Sequence, residues 1–190
     1  ETEDAIGLVG SRVVGPTIAD DIKSGAVYSI IFSLIVVFLY ILIRFRKWQF
    51  SLGAVVALLH DVLFVMGVFS LADGFLPFQL EVDQAFIAAI LTVIGYSLND
   101  TVVVFDRIRE NMGSRGKQNS VSVNKSLNQT LSRTFNTSLT TFFVLLVIFL
   151  FGGEVIRGFM FALLLGVLVG TYSSLFIATP VMFDASDKES

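Results

Sequence analysis

Long runs without a charged residue are the feature of this sequence that most constrains its fold. Residues 24–43, 134–153 and 158–183 contain no Asp, Glu, Lys or Arg. Residues 48–72 and 84–105 contain one acid each and no Lys or Arg. A helix needs about 20 apolar residues to cross the roughly 30 Å hydrocarbon core of a bilayer. The five windows therefore predict five membrane-crossing helices.

The composition supports a membrane protein. Charged residues make up 15% of the 190 residues, whereas soluble domains contain about 25%. The chain has 19 Phe and no Cys, which excludes a disulfide scaffold and a metal site with thiol ligands. We expect an all-α membrane protein whose five transmembrane helices form part of a larger helix bundle.

The windows also predict the division of the chain. The transmembrane domain is expected at residues 24–183, with helices at about 24–43, 48–72, 84–105, 134–153 and 158–179. Residues 1–23 are predicted to be the end of an external domain with a lead-in helix, and 184–190 a cytoplasmic tail. Residues 5–14 alternate loosely, as a strand does. Because 23 fairly polar residues precede the first crossing and the chain does not begin with Met, we expect a longer polypeptide upstream.

Basic residues in the predicted loops indicate the orientation. Segments 1–23, 73–83 and 154–157 hold three Lys and Arg, whereas the segments on the opposite side hold ten. Loops rich in Lys and Arg remain in the cytoplasm, so we expect the start of the chain outside and its C-terminus inside. The same bias explains the six basic residues of 106–133, and no nucleic-acid binding is predicted.

Asp61 is the single acid of the second window. A carboxylate in the membrane interior costs several kcal/mol unless it is neutralised, paired or hydrated, so it is a candidate functional residue. In the alternative interpretation, Asp61 is a neutral carboxyl that bonds to a neighbouring backbone and holds helices together. His60 points about 100° away around the helix, which favours a packing role for it.

Asp100 is the stronger candidate, in the third window. Tyr96, Asn99 and Asp100 are spaced three and four residues apart, which predicts one polar helix face. Gly95 beside this face predicts close approach of another helix. Counted along the helices, Asp61 and Asp100 lie at depths about 10 Å apart, so we do not expect a two-carboxylate catalytic dyad.

Polar residues also begin the fourth window. Thr137, Thr140 and Thr141 share a helix face, and Arg133 continues it one turn earlier. This stripe suits a hydrated path or a tight interhelical contact, although Arg133 alone suits extension to the membrane surface. Because Asp100 needs a counter-charge at similar depth, we predict that Arg133 pairs with it. Breaking the pair would let Asp100 take up a proton, as a gated proton relay requires.

The last window carries a packing motif, and other recognisable chemistry is missing. Gly166, Gly170 and Ser174 form a small-residue edge typical of close helix packing. The sequence contains one His and no phosphate-binding Gly-rich, HExxH or GxSxG motif. We therefore expect no enzyme activity, cofactor or metal. Any energy source would then be an ion gradient or a partner.

Specific strings resemble the SecF family, the smaller partner in the SecDF protein-export membrane protein. The resemblance covers essentially the whole chain, and the longest string is highly specific. The strings are VGP at 14–16, HD at His60 and Asp61, IGYSLNDTVVVFDRIREN at 94–111, SRTFNTSLTT at 132–141, FGG at 151–153 and GVLVGTYSSLF at 166–176.

The resemblance implies a fold and a function. SecDF belongs to the resistance-nodulation-division (RND) superfamily, and this chain would be the second to sixth helices of SecF with the end of its external domain. It would act in the bacterial inner membrane with SecD and the SecYEG translocon on unfolded preproteins, driven by protons. The family's functional Asp and Arg match Asp100 and Arg133, and its HD pair includes Asp61.

Several alternatives remain open at this stage. The chain belongs either to a separate SecF or to the C-terminal half of a fused SecDF. It could instead be half of an RND-type exporter of small molecules. A third possibility is a passive membrane scaffold, in which Asp61 and Asp100 only hold helices together.

Overall fold

The computed structural model describes residues 16–78, 80–112 and 119–187, without the side chains of 16–20, 22, 23 and 187. The strand predicted at 5–14 lies outside these residues. The described elements are α1 (Pro16–Phe45), α2 (Trp48–Ala72), α3 (Gln84–Asn111), α4 (Ser120–Phe151), α5 (Glu154–Ser173), a π-helical turn (Ser174–Ala178) and α6 (Thr179–Asp187).

The predicted class, an all-α membrane protein with five transmembrane helices, is confirmed. The described residues contain no strand, and five helical stretches are long and apolar enough to cross a membrane. The stretches are Ser24–Phe45, Trp48–Ala72, Gln84–Asn111, Ser120–Phe151 and Glu154–Ser186.

Several helices are longer than their charge-free windows. α4 begins at Ser120 rather than near residue 134, because the Asn119 side chain accepts a hydrogen bond from the Val121 amide at 3.2 Å and caps the helix there. α3 continues to Asn111, and α5 begins at Glu154. A charged residue ends a hydrophobic window but not a helix, since its side chain is solvated where the helix leaves the hydrocarbon.

The fifth crossing is interrupted by the π-helical turn. Pro180 has no amide N–H, so the carbonyl of Phe176 cannot receive its regular helical hydrogen bond. Beside this position, the Thr179 hydroxyl donates to the Ser174 carbonyl at 3.2 Å. The helix then continues as α6 to Asp187, so residues 184–187, predicted as tail, are helical.

α5 lies at the centre of the bundle. It packs against α2, α3 and α4, whereas α1 packs mainly on α2. Only 11% of the residues are buried in the apolar windows of α1 and α4, against 44–50% in those of the other three stretches. α1 and α4 are therefore peripheral and present many large apolar side chains outward.

Small residues bring α3 and α5 into close contact. A side chain at Gly166 would collide with Val93, and a Cβ at Gly170 would lie 2.9 Å from the Cβ of Ser97. One turn further, the hydroxyls of Ser174 and Thr101 are 2.8 Å apart. Residue numbers rise together by four on both helices, so α3 and α5 run parallel with their backbones closely packed.

Aromatic clusters lie on either side of this polar contact. At one end the ring of Phe50 is 5.0 Å from Phe45 and 5.1 Å from Phe105. Towards the other end, Phe69 and Phe86 are 4.4 Å apart. Along α2 and α3, the acids predicted to be functional lie between the two clusters.

Candidate functional site

Asp61 is completely buried in α2 and accepts hydrogen bonds from two other helices. Ser97 of α3 donates to Oδ2 at 2.6 Å, and Ser173 of α5 donates to the same oxygen at 2.8 Å. The exposed fraction of Asp61 is 0%. This carboxyl therefore joins α2, α3 and α5 through hydroxyl groups, rather than bonding to a neighbouring backbone.

His60 connects Asp61 with the outer face of the bundle. Its Nδ1 lies 3.3 Å from Asp61 Oδ1, and its side chain is 36% exposed. The ring packs beside Phe64 at 6.1 Å and Tyr172 at 6.5 Å between centroids. His60 thus has the packing contacts favoured from its direction on the helix, together with a polar contact that its direction did not predict.

Asp100 is buried in α3 and reaches α4 and α5. Its exposed fraction is 3%, and Ser138 of α4 donates to its Oδ2 at 3.2 Å. Thr171 of α5 donates in turn to the Ser138 hydroxyl at 2.6 Å. A chain of two hydroxyls therefore leads from α5 through α4 to the carboxyl.

Arg133 does not form the ion pair predicted with Asp100. Its side chain is exposed and lines a cavity between α3 and α4, and no contact within 4.0 Å joins the two described side chains. The guanidinium attracts the carboxylate only at longer range. The physical reason is helix phase, because Ser138, rather than Arg133, is the residue of α4 that meets Asp100.

The inward stripe of α4 was missed by sequence reasoning. Ser126, Thr130, Thr134 and Ser138 recur every four residues and are all buried. This spacing of hydroxyl residues places them on one helix face and could have revealed the stripe. The pattern within the charge-free window, which begins at Thr134, instead predicts a polar face at Thr137, Thr140 and Thr141.

The threonine stripe predicted on α4 faces away from Asp100. Thr137 donates to the Arg133 carbonyl at 2.9 Å, Thr140 to the Asn136 carbonyl at 3.0 Å and Thr141 to the Thr137 carbonyl at 3.0 Å. Thr137 and Thr140 are exposed and Thr141 is half-buried. Their hydroxyls are satisfied by their own helix, so they support neither buried carboxyl in this structure.

The residues of the polar face predicted on α3 do not share one environment. Asn99 is exposed, and the buried Tyr96 hydroxyl has no hydrogen-bond partner among the described residues. Gly95 has open space where a Cβ would stand, so none of the described helices approaches it closely. Asp100 instead shares its face with Ser97 and Thr101, since the buried stripe of α3 follows those positions.

The two buried carboxyls belong to separate hydrogen-bond networks. Asp61 bonds to Ser97 and Ser173, and Asp100 bonds to Ser138, with no direct bond between the acids. Within the described ranges, no group of three or more His, Asp or Glu could hold a metal ion. The geometry therefore provides two distinct protonatable positions in a layer of hydroxyl groups.

Fold and site together define a multi-pass helical membrane protein with ionisable groups in its membrane interior. Residues 2–188 match the family described as "Protein export membrane protein SecD/SecF, C-terminal". The chain belongs to this family, and the resemblance predicted from its motifs is confirmed.

Three relatives with high identity are protein translocase subunits SecF. The chain is 60% identical to that of Rhodothermus marinus over 178 residues, which cover 93% of this chain and 58% of the relative. It is 48% identical to that of Thermodesulfovibrio yellowstonii, over 89% of this chain and 55% of the relative. Identity to the Vibrio alginolyticus protein is 46%, over 94% and 55% respectively. The chain thus spans little more than half the length of these relatives.

Two solved structures of SecDF share the fold. One, a translocon-associated membrane protein from Thermus, superposes with a TM-score of 0.78 at 40% identity, over 93% of this chain and 24% of that chain. A super-membrane-facing form of SecDF gives the same TM-score at 38% identity, over 93% and 23%. The five-helix arrangement therefore occurs as part of a larger membrane protein.

Proposed function

We propose that this chain is the C-terminal membrane part of a SecF-like protein-export subunit. It acts with SecD beside a SecYEG translocon in the bacterial inner membrane, and it assists the export of unfolded preproteins by using the proton gradient. The SecF relatives at 46–60% identity support the export role. The observation that carries the proton-coupled part is Asp100, a buried carboxyl bonded to α4 and, through Ser138, to α5.

Proton exchange at Asp100 would change the contact between three helices. An ionised carboxyl only accepts hydrogen bonds, whereas a protonated one also donates. Because Ser138 lies between Asp100 and Thr171, protonation reverses or breaks the bonds along this chain. The packing of α3, α4 and α5 then shifts, and the shift moves an external domain that holds the substrate.

Arg133 and Asp61 take different parts in this proposal. Arg133 supplies a positive charge near the ionised form of Asp100 without a direct contact. Asp61 bonds to two hydroxyls and contacts His60, an arrangement that also suits a structural connection between helices. The geometry at Asp61 therefore favours a second candidate function, a passive membrane scaffold in which this carboxyl holds helices together.

The remaining parts of the proposal concern energy and orientation. Protons are the coupling ion, and the subunit works as a transport component rather than as an enzyme, without a cofactor. The described part of the chain begins outside the cytoplasm, and α6 ends inside, as the distribution of basic residues indicates.

Gradient-driven proton conductance in vesicles tests the role of Asp100. The full-length subunit is reconstituted with SecD, and wild type is compared with Asp100→Asn. We expect Asp100→Asn to lose conductance and to slow the release of preprotein after ATP-driven translocation. Asp73→Asn, in an exposed segment after α2, is the matched control and should behave as wild type.

Other results would favour the alternatives. Unchanged conductance and unchanged export in Asp100→Asn would rule out the proton role and support a passive scaffold. Efflux of small molecules without any need for a translocon would support the exporter.

A further inference from the structure

A cavity of about 470 Å³ lies between the C-terminal half of α3 and the N-terminal half of α4. A water molecule occupies about 30 Å³ in the liquid, so the cavity has room for several. Its polar lining consists of Asp106, Arg107, Glu110, Gln129, Thr130 and Arg133. These charged groups favour a hydrated cavity.

The inner end of the cavity is one helical turn from Asp100. On α3, the lining residue Val103 follows Asp100 by three positions. On α4, the lining residue Thr130 precedes Thr134 by four positions. The two helices are antiparallel, since Asn111 meets Ser126 and Asp100 meets Ser138. Thr134 therefore lies between the cavity and the Asp100–Ser138 pair.

Thr134 is the exception in the hydroxyl stripe of α4. Ser126 and Thr130 donate to carbonyls of their own helix one turn back, and Ser138 donates to Asp100. The Thr134 hydroxyl has no hydrogen-bond partner among the described residues, and the residue is only 1% exposed. Buried polar groups without a protein partner are normally bonded to ordered water.

We propose that a bound water molecule at Thr134 connects the cavity with the Ser138–Asp100 pair, and that this is the aqueous route by which Asp100 exchanges its proton. The use of the route rests on the proposed function, whereas the hydration of Thr134 does not. Thr134 is a positioning residue, because it holds the water rather than the proton.

Cysteine accessibility tests the hydration directly. The chain contains no Cys, so Thr134→Cys is introduced into a full-length subunit made cysteine-free elsewhere, assembled with a cysteine-free partner, and treated with a small charged methanethiosulfonate. A thiol reacts as the thiolate, which requires water. We expect labelling at position 134 and at the cavity position in Thr130→Cys. Val144→Cys on the apolar outer face is the control that should not react. Labelling at 130 but not at 134 would overturn the proposal, whatever the conductance shows.

Proton uptake by the reconstituted complex tests whether the route is used. Thr134→Val keeps the shape and removes the hydroxyl, so it should slow uptake several-fold, whereas Thr134→Ser should restore most of the rate. Thr140→Val removes a hydroxyl bonded to its own helix and should leave the rate unchanged. A wild-type rate in Thr134→Val would overturn the proton route even if Thr134→Cys is labelled. If Thr134→Cys is not labelled but Asp100→Asn loses conductance, the proposed function stands and only this route is refuted.

Discussion

The two buried acids differ in how firmly their surroundings hold them. Asp61 receives two hydroxyl hydrogen bonds and contacts His60, and no part of it is exposed. Asp100 receives one hydroxyl hydrogen bond, at the longer distance of 3.2 Å. A carboxyl with fewer fixed partners can change its protonation with less rearrangement, which supports the proposal that Asp100 exchanges the proton and that the bonds of Asp61 are mainly structural.

Replacement of Asp61 should destabilise the bundle. Asp61→Leu removes the acceptor of Ser97 and Ser173, and a buried donor left unsatisfied costs about 1–3 kcal/mol. Asp61→Asn retains a carbonyl oxygen that can accept, so we expect a smaller loss. The measurement is the midpoint of thermal unfolding of the full-length protein in detergent.

A surface acid provides the matched control for this comparison. Asp106 pairs with Arg44 at 2.8 Å, with both side chains partly exposed, and exposed ion pairs contribute about 1 kcal/mol or less. Asp106→Asn should therefore lower the midpoint less than Asp61→Leu does. Equal effects at the two positions would show that Asp61 does not join the helices.

At the scale of the element, α4 has an unusual distribution of side chains. Its buried face consists of four hydroxyl residues and Val123, whereas Leu139, Val144 and Phe151 are exposed. In a bilayer the apolar face is compatible with lipid, and hydroxyl groups on the opposite face can bond between helices. α4 thus contributes interhelical hydrogen bonds to the bundle at Ser126 and Ser138.

The parallel contact of α3 and α5 predicts a specific sensitivity to volume. Gly170→Ala places a Cβ 2.9 Å from that of Ser97, and overpacking of this kind typically costs about 1–3 kcal/mol. Gly67→Ala is the matched control, because no atom lies within 4 Å of its Cβ and Ala is the better helix former by about 1 kcal/mol. Thermal unfolding in detergent should show a lower midpoint for Gly170→Ala only. A midpoint at or above that of wild type in Gly170→Ala would refute the close contact.

At the scale of the whole molecule, five crossings place the two ends of the described helices on opposite sides of the membrane. In the orientation proposed above, the connection from α2 to α3 is external and the N-terminal part of α4 is cytoplasmic. A side-specific label can test this arrangement because the chain has no Cys of its own.

We expect Asp73→Cys in intact cells to react with a membrane-impermeant maleimide added outside. Lys125→Cys, near the start of α4 and exposed, should react only after the membrane is permeabilised. The reverse pattern would invert the orientation, and it would place the cavity between α3 and α4 on the external side.

The sequence by itself determined the class of protein, the number of crossings and the two acids to study. A charge-free window of about 20 residues or more has few alternatives to a membrane-crossing helix, because a bilayer excludes unpaired charges and unbonded backbone. Asp61 and Asp100 were identified for the same reason. The motifs from 94 to 111 and from 132 to 141 then led to the family.

Only the tertiary structure decided which polar residues surround those acids. Spacings of three and four residues define a helix face, but they do not tell which face a neighbouring helix covers. In the folded bundle, Arg133 and Thr137 therefore do not bond to Asp100, whereas Ser138 donates a hydrogen bond to it. The partners of Asp61, Ser97 and Ser173, come from helices distant in sequence. The relative rotation of packed helices, set by contacts such as Gly170 against Ser97, is a property of the whole bundle.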